Sequence, residues 1–155
     1  MLALNVMAMV LAFVALVALL NFILQWPQMR LGVNQPISLE VIFGWINAPF
    51  AWLMGIPWEH SALVGSMLGE RIVLNELFGY LSLTENKDTL DARSFLIASY
   101  ALCGFANFGS VAVQIGGLSA LVPERRSEFA KMGLRSMFAG LLACYLTATL
   151  VGLLI

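Results

Sequence analysis

Charged side chains are scarce in this sequence. Asp, Glu, Lys and Arg make up only 11% of the 155 residues, whereas hydrophobic residues make up 61%. A soluble domain normally carries about 25% charged residues, and the mean hydropathy of +0.89 departs in the same direction. These values exclude an ordinary soluble domain and predict an integral membrane protein that contacts the lipid bilayer. The net charge of −1 gives no indication of nucleic-acid binding.

Histidine and cysteine are also nearly absent. His60 is the only histidine, which argues against a histidine-based zinc or haem site. Cys103 and Cys144 lie far apart in apolar stretches, have no metal-binding or redox spacing, and are predicted to be small packing residues. The sequence also lacks a hydrolytic arrangement of serine, histidine and aspartate, and a glycine loop for nucleotide phosphates. We therefore predict no enzyme activity, no bound cofactor and no metal site in this chain.

The N-terminal segment contains no charge. A secretory signal peptide would have a basic start and a shorter apolar core, whereas about 20 apolar residues suffice to cross a bilayer. We therefore predict a spanning helix over residues 1–26, which ends where Trp26 suits the membrane interface and Pro27 stops the helix. Because the chain begins directly inside this helix, we expect it to be a C-terminal piece of something longer.

The next two segments, residues 38–57 and 58–83, are apolar but interrupted. The first contains Glu40, Pro49 and spaced tryptophans, which favours a helix lying at the membrane interface. The second contains two short apolar pieces separated by a polar tip at residues 69–71. Since neither piece reaches spanning length, we predict a re-entrant helical hairpin, which is tolerated only where protein or a water-filled cavity surrounds it. The alternative is one long spanning helix with two buried charges.

The C-terminal part contains two more apolar segments. Residues 94–122 carry no charge, but Gly104 and Gly109 bracket Asn107. This pattern favours a broken spanning helix with a ligand site beside Asn107, although glycines used for close packing in a continuous helix are the alternative. Residues 136–155 are predicted to form the last spanning helix. The expected fold is therefore an all-α membrane protein with spanning helices, a re-entrant helical hairpin and a broken helix.

The orientation is predicted from one basic loop. Residues 123–135 contain four of the eight Lys and Arg residues, which places this loop in the cytoplasm by the positive-inside rule. The last helix then runs outward and leaves the C-terminus outside the cell. The charged stretch at residues 84–93 is also outside, so a hairpin that returns to it enters from the outside.

Glu76 is the most informative single residue, because it lies inside an apolar run. A charge at membrane depth costs roughly 2.5 to 3.5 kcal/mol on insertion scales, so a retained carboxylate usually serves a substrate, an ion or a proton. The alternative is a structural pair with Arg71 or with another helix. Asn75 precedes Glu76 and is a further candidate ligand. The pattern predicts a transporter.

Asn107 and Ser110 are three positions apart and face the same way on a helix. Their amide and hydroxyl groups, together with the carboxylate of Glu76, suit a polyhydroxylated ligand such as a sugar. Hydrogen bonding between helices is the alternative for such residues. Phe105 either stacks on a ring of the ligand or serves only for packing.

Two long motifs and one short motif resemble those of the concentrative nucleoside transporter family. The long motifs are GERIVLNELFGY at residues 69–80 and YALCGFANFGS at residues 100–110, and PERR follows at residues 123–126. The resemblance covers nearly the whole chain, with its motifs in the family's order. Two departures are Arg71 in place of the usual lysine and Leu77 in place of the usual phenylalanine after Glu76.

The resemblance implies a sodium- or proton-coupled symporter that moves nucleosides inward across the plasma (inner) membrane as a homotrimer. This chain would be the second of two inverted repeats and the helix before it. The missing N-terminal half would hold the coupling ion. The resemblance also implies that Glu76, Asn107 and Ser110 bind ribose hydroxyls and that Phe105 lies near the site. A non-transporting assembly subunit and a truncated inactive fragment are the alternatives.

Overall fold

The fold is described from a computed structural model that covers residues 2–33 and 36–155. Within these residues the secondary structure is helical, without β-strands, which confirms the predicted all-α class. The helices are α1 (Leu2–Arg30), α2 (Leu39–Leu53), α3 (Trp58–Val73), α4 (Glu76–Glu85), α5 (Ala92–Leu102), α6 (Phe108–Leu121) and α7 (Arg126–Leu154). A short 3₁₀ turn at Pro123–Arg125 precedes α7.

The two longest helices extend beyond their predicted limits. α1 continues to Arg30 with Pro27 inside it, and helical hydrogen bonding resumes after the proline, since Leu31 N donates to Pro27 O at 3.1 Å. α7 begins at Arg126 rather than at residue 136. The added turns are rich in Arg, Glu, Ala and Lys, which are strong helix formers. Both helices contain windows long and apolar enough to cross a membrane.

α2 packs against α3 at backbone distance. This helix is shorter than the predicted segment, because the chain turns at Gly55 (φ 101°) before α3 begins. Gly65 and Gly69 of α3 face Gly44 and Ala48 of α2. A Cβ atom on Gly65 would lie 2.7 Å from Ala48 N. The absence of side chains at these positions therefore allows the close approach of the two helices.

The turn between α3 and α4 does not lie where the sequence predicted it. α3 continues through residues 69–71, and the helix is interrupted at Leu74 and Asn75. The predicted tip is wrong because its glycine is used for packing on α2 and its arginine is fully buried. The chain then folds back, since a Cβ on Gly79 would lie 3.2 Å from Met67 O.

The segment predicted at residues 94–122 contains two separate helices. α5 ends at Leu102, α6 begins at Phe108, and residues 103–107 between them are not helical. Asp91 caps the N-terminus of α5 by accepting from Ser94 N at 3.1 Å. Its hydrogen bonding with Ser94 holds the pKa of the Asp91 carboxyl below its usual range.

The buried core lies where α3, α5 and α7 meet. Its fully buried apolar residues include Val64, Met67, Leu68, Ile97, Leu102 and Ala148. Tyr145 of α7 donates a hydrogen bond to Asn47 of α2. α1 is joined to α2 by Asn21, whose Nδ2 donates to both carboxylate oxygens of Glu40 at 3.0 Å. These two contacts join α2 to α7 and α1 to α2.

Candidate functional site

Glu76 and Asn107 are in direct contact. The Nδ2 atom of Asn107 donates to Oε2 of Glu76 at 3.2 Å, across 31 residues of sequence. Asn107 is only 2% exposed, whereas Glu76 is partly exposed. The pair therefore joins a carboxylate that a ligand can reach to an amide that the protein holds in place.

Both residues of this pair lie at the N-terminus of a helix. Glu76 is the first residue of α4, and Asn107 is the N-cap of α6. Helix N-termini carry unpaired N–H groups and a partial positive charge, which favour a carboxylate or a polar ligand oxygen. The two helix interruptions thus provide a polar environment for Glu76 that continuous helices would not provide.

The side chains of Asn75 and Asn107 cap the helices that they precede. Asn75 Oδ1 accepts from Leu77 N at 2.9 Å and from Phe78 N at 3.4 Å. Asn107 Oδ1 accepts from Ser110 N at 2.7 Å. The carbonyl oxygens of both amides are therefore engaged in capping. By capping α4, Asn75 fixes the start of this helix and therefore the position of Glu76.

Ser110 and Phe105 line a cavity of about 520 Å³ between α6 and α7. Gly104 and Gln114 line the same cavity, which extends to Arg125. Phe105 is 74% exposed, so most of its side chain is not covered by other parts of the described chain. Neither Glu76 nor Asn107 lines this cavity. The cavity therefore adjoins the pair through Ser110 and does not enclose it.

Arg71 and Tyr80 also lie in this region, although the sequence suggested Arg71 only as a structural partner of Glu76. Arg71 is fully buried, and its Nη1 donates to Ala101 O at 2.5 Å. The Tyr80 hydroxyl donates to Ser99 O at 2.8 Å. The sequence signal for Arg71 was its charge, which is a second charge in the apolar stretch around Glu76. Within the part of the chain that the structure describes, Arg71 forms no ion pair with Glu76 or with any other carboxylate.

Residues 2–33 and 36–155 contain no cluster of three or more His, Cys, Asp or Glu side chains that could hold a metal ion. The polar groups of the candidate site are a carboxylate, an amide and a hydroxyl. Such groups suit hydrogen bonding to a hydroxylated molecule.

Comparison with known proteins identifies the family. The family model described as "Na+ dependent nucleoside transporter C-terminus" matches residues 1–152. The chain belongs to this family. The resemblance found in the motifs is therefore confirmed: the family to which the chain belongs consists of integral membrane transporters, not of enzymes.

Individual relatives agree with this assignment. The chain is 42% identical over 153 residues to the "Uncharacterized transporter YutK" of Bacillus subtilis, with 99% of the chain and 38% of that protein covered. It is 40% identical over 159 residues to the "Nucleoside permease NupC" of Helicobacter pylori, again with 99% and 38% covered. The chain thus spans less than half the length of these relatives.

A solved structure also has the same fold. A variant of CNTnw in an outward-facing state superimposes with a TM-score of 0.90 at 37% sequence identity, with 99% of this chain and 39% of that chain covered. The helical fold of this chain therefore matches that of CNTnw.

Proposed function

We propose that this chain provides the ribose-binding C-terminal half of a cation-coupled nucleoside symporter. The observation that carries the proposal is the hydrogen bond between Asn107 and Glu76. It joins a carboxylate and a buried amide at two helix interruptions, in a chain whose family transports nucleosides. A contact between two polar groups this far apart in sequence requires both interruptions to face each other.

In this proposal, α3 and α4 form a re-entrant hairpin, and α5 and α6 form one broken spanning helix. Non-helical backbone at membrane depth is tolerated only where it is buried in protein or lines a water-filled cavity. The interruption at Leu74 and Asn75 and the interruption at residues 103–107 are supported in this way, because each lies against the other and Asn107 is buried. α2 is the interfacial helix, held beside the hairpin by its glycine contacts.

The ribose hydroxyls are bound by Glu76, Asn107 and Ser110. Asn107 already donates to one carboxylate oxygen of Glu76, so the other oxygen can accept from a ribose hydroxyl. Ser110 adds a hydroxyl that can donate or accept. A substrate that lacks a hydroxyl would leave one of these groups without a partner, and an unpaired buried polar group discriminates strongly against such an analogue.

Phe105 and Asn75 support this site in different ways. The exposed ring of Phe105 lies at the cavity next to Ser110, where it is available to stack on the ring of a nucleoside. Asn75 acts through its cap on α4 and holds Glu76 in position. We assign Asn75 this supporting role instead of direct contact with the ribose.

The remaining features of the proposal concern the complete transporter. The coupling ion is sodium or a proton and is bound by the missing N-terminal half, and the sodium alternative agrees with the description of the family model. The complete protein is a homotrimer in the plasma (inner) membrane. The C-terminus of this chain lies outside the cell.

The test is the Glu76→Gln substitution in the complete transporter that contains this chain. Loss of a charged hydrogen-bond acceptor should lower uridine uptake by roughly 10- to 100-fold. Glu85→Gln is the matched control, because Glu85 is exposed at the end of α4 and makes no part of the site. Uptake of radiolabelled uridine is measured with and without a sodium gradient. Wild-type uptake by Glu76→Gln would contradict the proposed site.

A further inference from the structure

We propose that Arg71 is a positioning residue for substrate binding, because it holds the end of α5 and thereby keeps Asn107 against Glu76. This inference rests on the proposed function, since it assumes that Glu76 and Asn107 bind the substrate. Arg71 itself would not touch the substrate and would act through its hydrogen bond to Ala101 O.

Arg71 is a buried cation with too few partners. It is fully buried, and its Nη1 atom donates to Ala101 O at 2.5 Å. Its Nε and Nη2 atoms have no hydrogen-bond partner in the described chain. Replacement of buried charged groups by apolar side chains of similar size is often neutral or stabilising. Stability alone therefore does not explain an arginine at this position.

The carbonyl that Arg71 contacts lies in the last turn of α5. Carbonyl groups in the last turn of a helix have no partner within the helix, and at membrane depth no bulk water is available to bind them. The C-terminus of a helix also carries a partial negative charge that favours a cation. Arg71 supplies both a donor and a positive charge to Ala101 O. Tyr80 supplies a second donor to α5, at Ser99 O, about half a helical turn before Ala101.

The hairpin formed by α3 and α4 therefore contacts the chain on both sides of the non-helical segment at residues 103–107. Arg71 and Tyr80 hold the end of α5, and Glu76 holds Asn107 at the start of α6. The segment between them is confined, because a Cβ on Gly104 would collide with Cys144 Sγ and lie 3.8 Å from Arg71 Nη2. Loss of the arginine should release the end of α5 and let Asn107 move away from Glu76.

The first experiment compares affinity with stability in the purified complete transporter. Arg71→Met removes the donor and the charge but keeps the length of the side chain. We expect its uridine affinity, measured by equilibrium binding, to fall roughly tenfold, while the apparent Tm stays the same or rises. Arg71→Lys keeps a charge and a donor and should retain affinity within about threefold of wild type.

Arg93→Met is the matched control. Arg93 also caps the end of a helix, because its Nη2 donates to Gly152 O of α7 at 2.6 Å, but it has no contact with the candidate site. Its replacement should lower the apparent Tm without changing the uridine affinity. If Arg71→Met binds uridine as tightly as wild type, the inference is overturned.

A double substitution separates positioning from a general structural effect. If Arg71 acts only through Asn107, Arg71→Met should cost no further affinity in a protein that already carries Asn107→Ala. Additive losses in the double variant would instead show that Arg71 acts elsewhere. If Arg71→Met does not fold, Tyr80→Phe carries the test: it removes the second donor and should weaken binding about threefold, and unchanged affinity would count against the inference.

The same measurements distinguish this inference from the proposed function. Full affinity in Glu76→Gln would remove the assumption on which both depend. Loss of affinity in Glu76→Gln together with wild-type affinity in Arg71→Met would leave the proposed site intact and reject only the role of Arg71.

Discussion

Asn107 has two functions at the scale of a single residue. Its Oδ1 atom caps α6 by accepting from Ser110 N, and its Nδ2 atom donates to Glu76. One side chain thus fixes the start of a helix and the orientation of the carboxylate. An amide is required for this combination, because a carboxylate can cap but cannot donate, and a hydroxyl is too short to reach both partners with the same geometry.

This double role can be divided by the Asn107→Asp substitution. Aspartate is as good an N-cap as asparagine, so α6 should remain folded. The new carboxylate would face Glu76, however, and two carboxylates in contact are not both stable in the charged form. We expect uridine uptake at pH 7 to fall roughly tenfold or more and to recover partly near pH 5, when one proton can be shared between them.

The measurement is a pH series of radiolabelled uridine uptake, normalised to wild type at each pH. Asn86→Asp is the control for the added charge, because Asn86 lies at the C-terminal end of α4 and outside the site. A variant with Asn107→Asp that transports normally at pH 7 would show that the Nδ2 donor is not needed.

At the scale of elements, the contact between α2 and α3 is decided by glycine. A Cβ on Gly69 would collide with Glu40 O and lie 2.6 Å from Gly44 N. These are backbone atoms, which cannot move aside as the end of a flexible side chain can. The two helices would have to separate, and this separation would also shift the hairpin that begins with α3.

Gly69→Ala is therefore expected to destabilise the protein. Alanine is favoured over glycine within a helix by about 1 kcal/mol, but overpacking at a close contact costs about 1 to 3 kcal/mol, so the net effect should be a lower apparent Tm. Gly117→Ala on α6 is the matched control, since its added Cβ would have no atom within 4 Å in the described chain apart from its chain neighbours and the nearby backbone of α6. An increase in apparent Tm for Gly69→Ala would contradict the packing shown here.

The elements also show how far sequence patterns reach. The charge-free stretches correctly predicted the positions of the apolar helices, because a segment that spans the membrane interior is made predominantly of apolar side chains. The patterns misplaced the tip of the hairpin at residues 69–71. A polar, glycine-bearing interruption of an apolar stretch predicted a turn, but Gly69 packs on α2 and Arg71 bonds to α5. These partners lie in other elements and leave no trace in the local pattern.

At the scale of the whole molecule, much apolar surface remains uncovered. α7 exposes a row of large side chains, including Phe138, Leu142, Leu146 and Leu150. α1 is similarly exposed along much of its described length. In the relatives, which are more than twice as long as this chain, lipid and the remaining part of the protein are the surfaces available to cover the corresponding positions.

The orientation of the molecule is testable by cysteine labelling. In the complete transporter with Cys103 and Cys144 replaced by alanine, Lys87→Cys places a thiol in the charged stretch before α5, and Ser127→Cys places one at the start of α7. Both positions are exposed. A membrane-impermeant maleimide added to intact cells should label the first and not the second, because the basic loop is expected in the cytoplasm. Labelling of both only after lysis, or in the reverse order, would contradict the predicted orientation.

The sequence by itself determined that this chain is a helical membrane protein of the nucleoside transporter family, and it supplied the polar residues of the candidate site. Composition and local motifs suffice for this, because the bilayer restricts which side chains a spanning segment can carry. Only the tertiary structure decided that Asn107 donates to Glu76 and that Arg71 reaches the end of α5. Helical periodicity relates residues within one helix, whereas these contacts depend on how the hairpin folds against two helices that lie about 30 positions further along the chain.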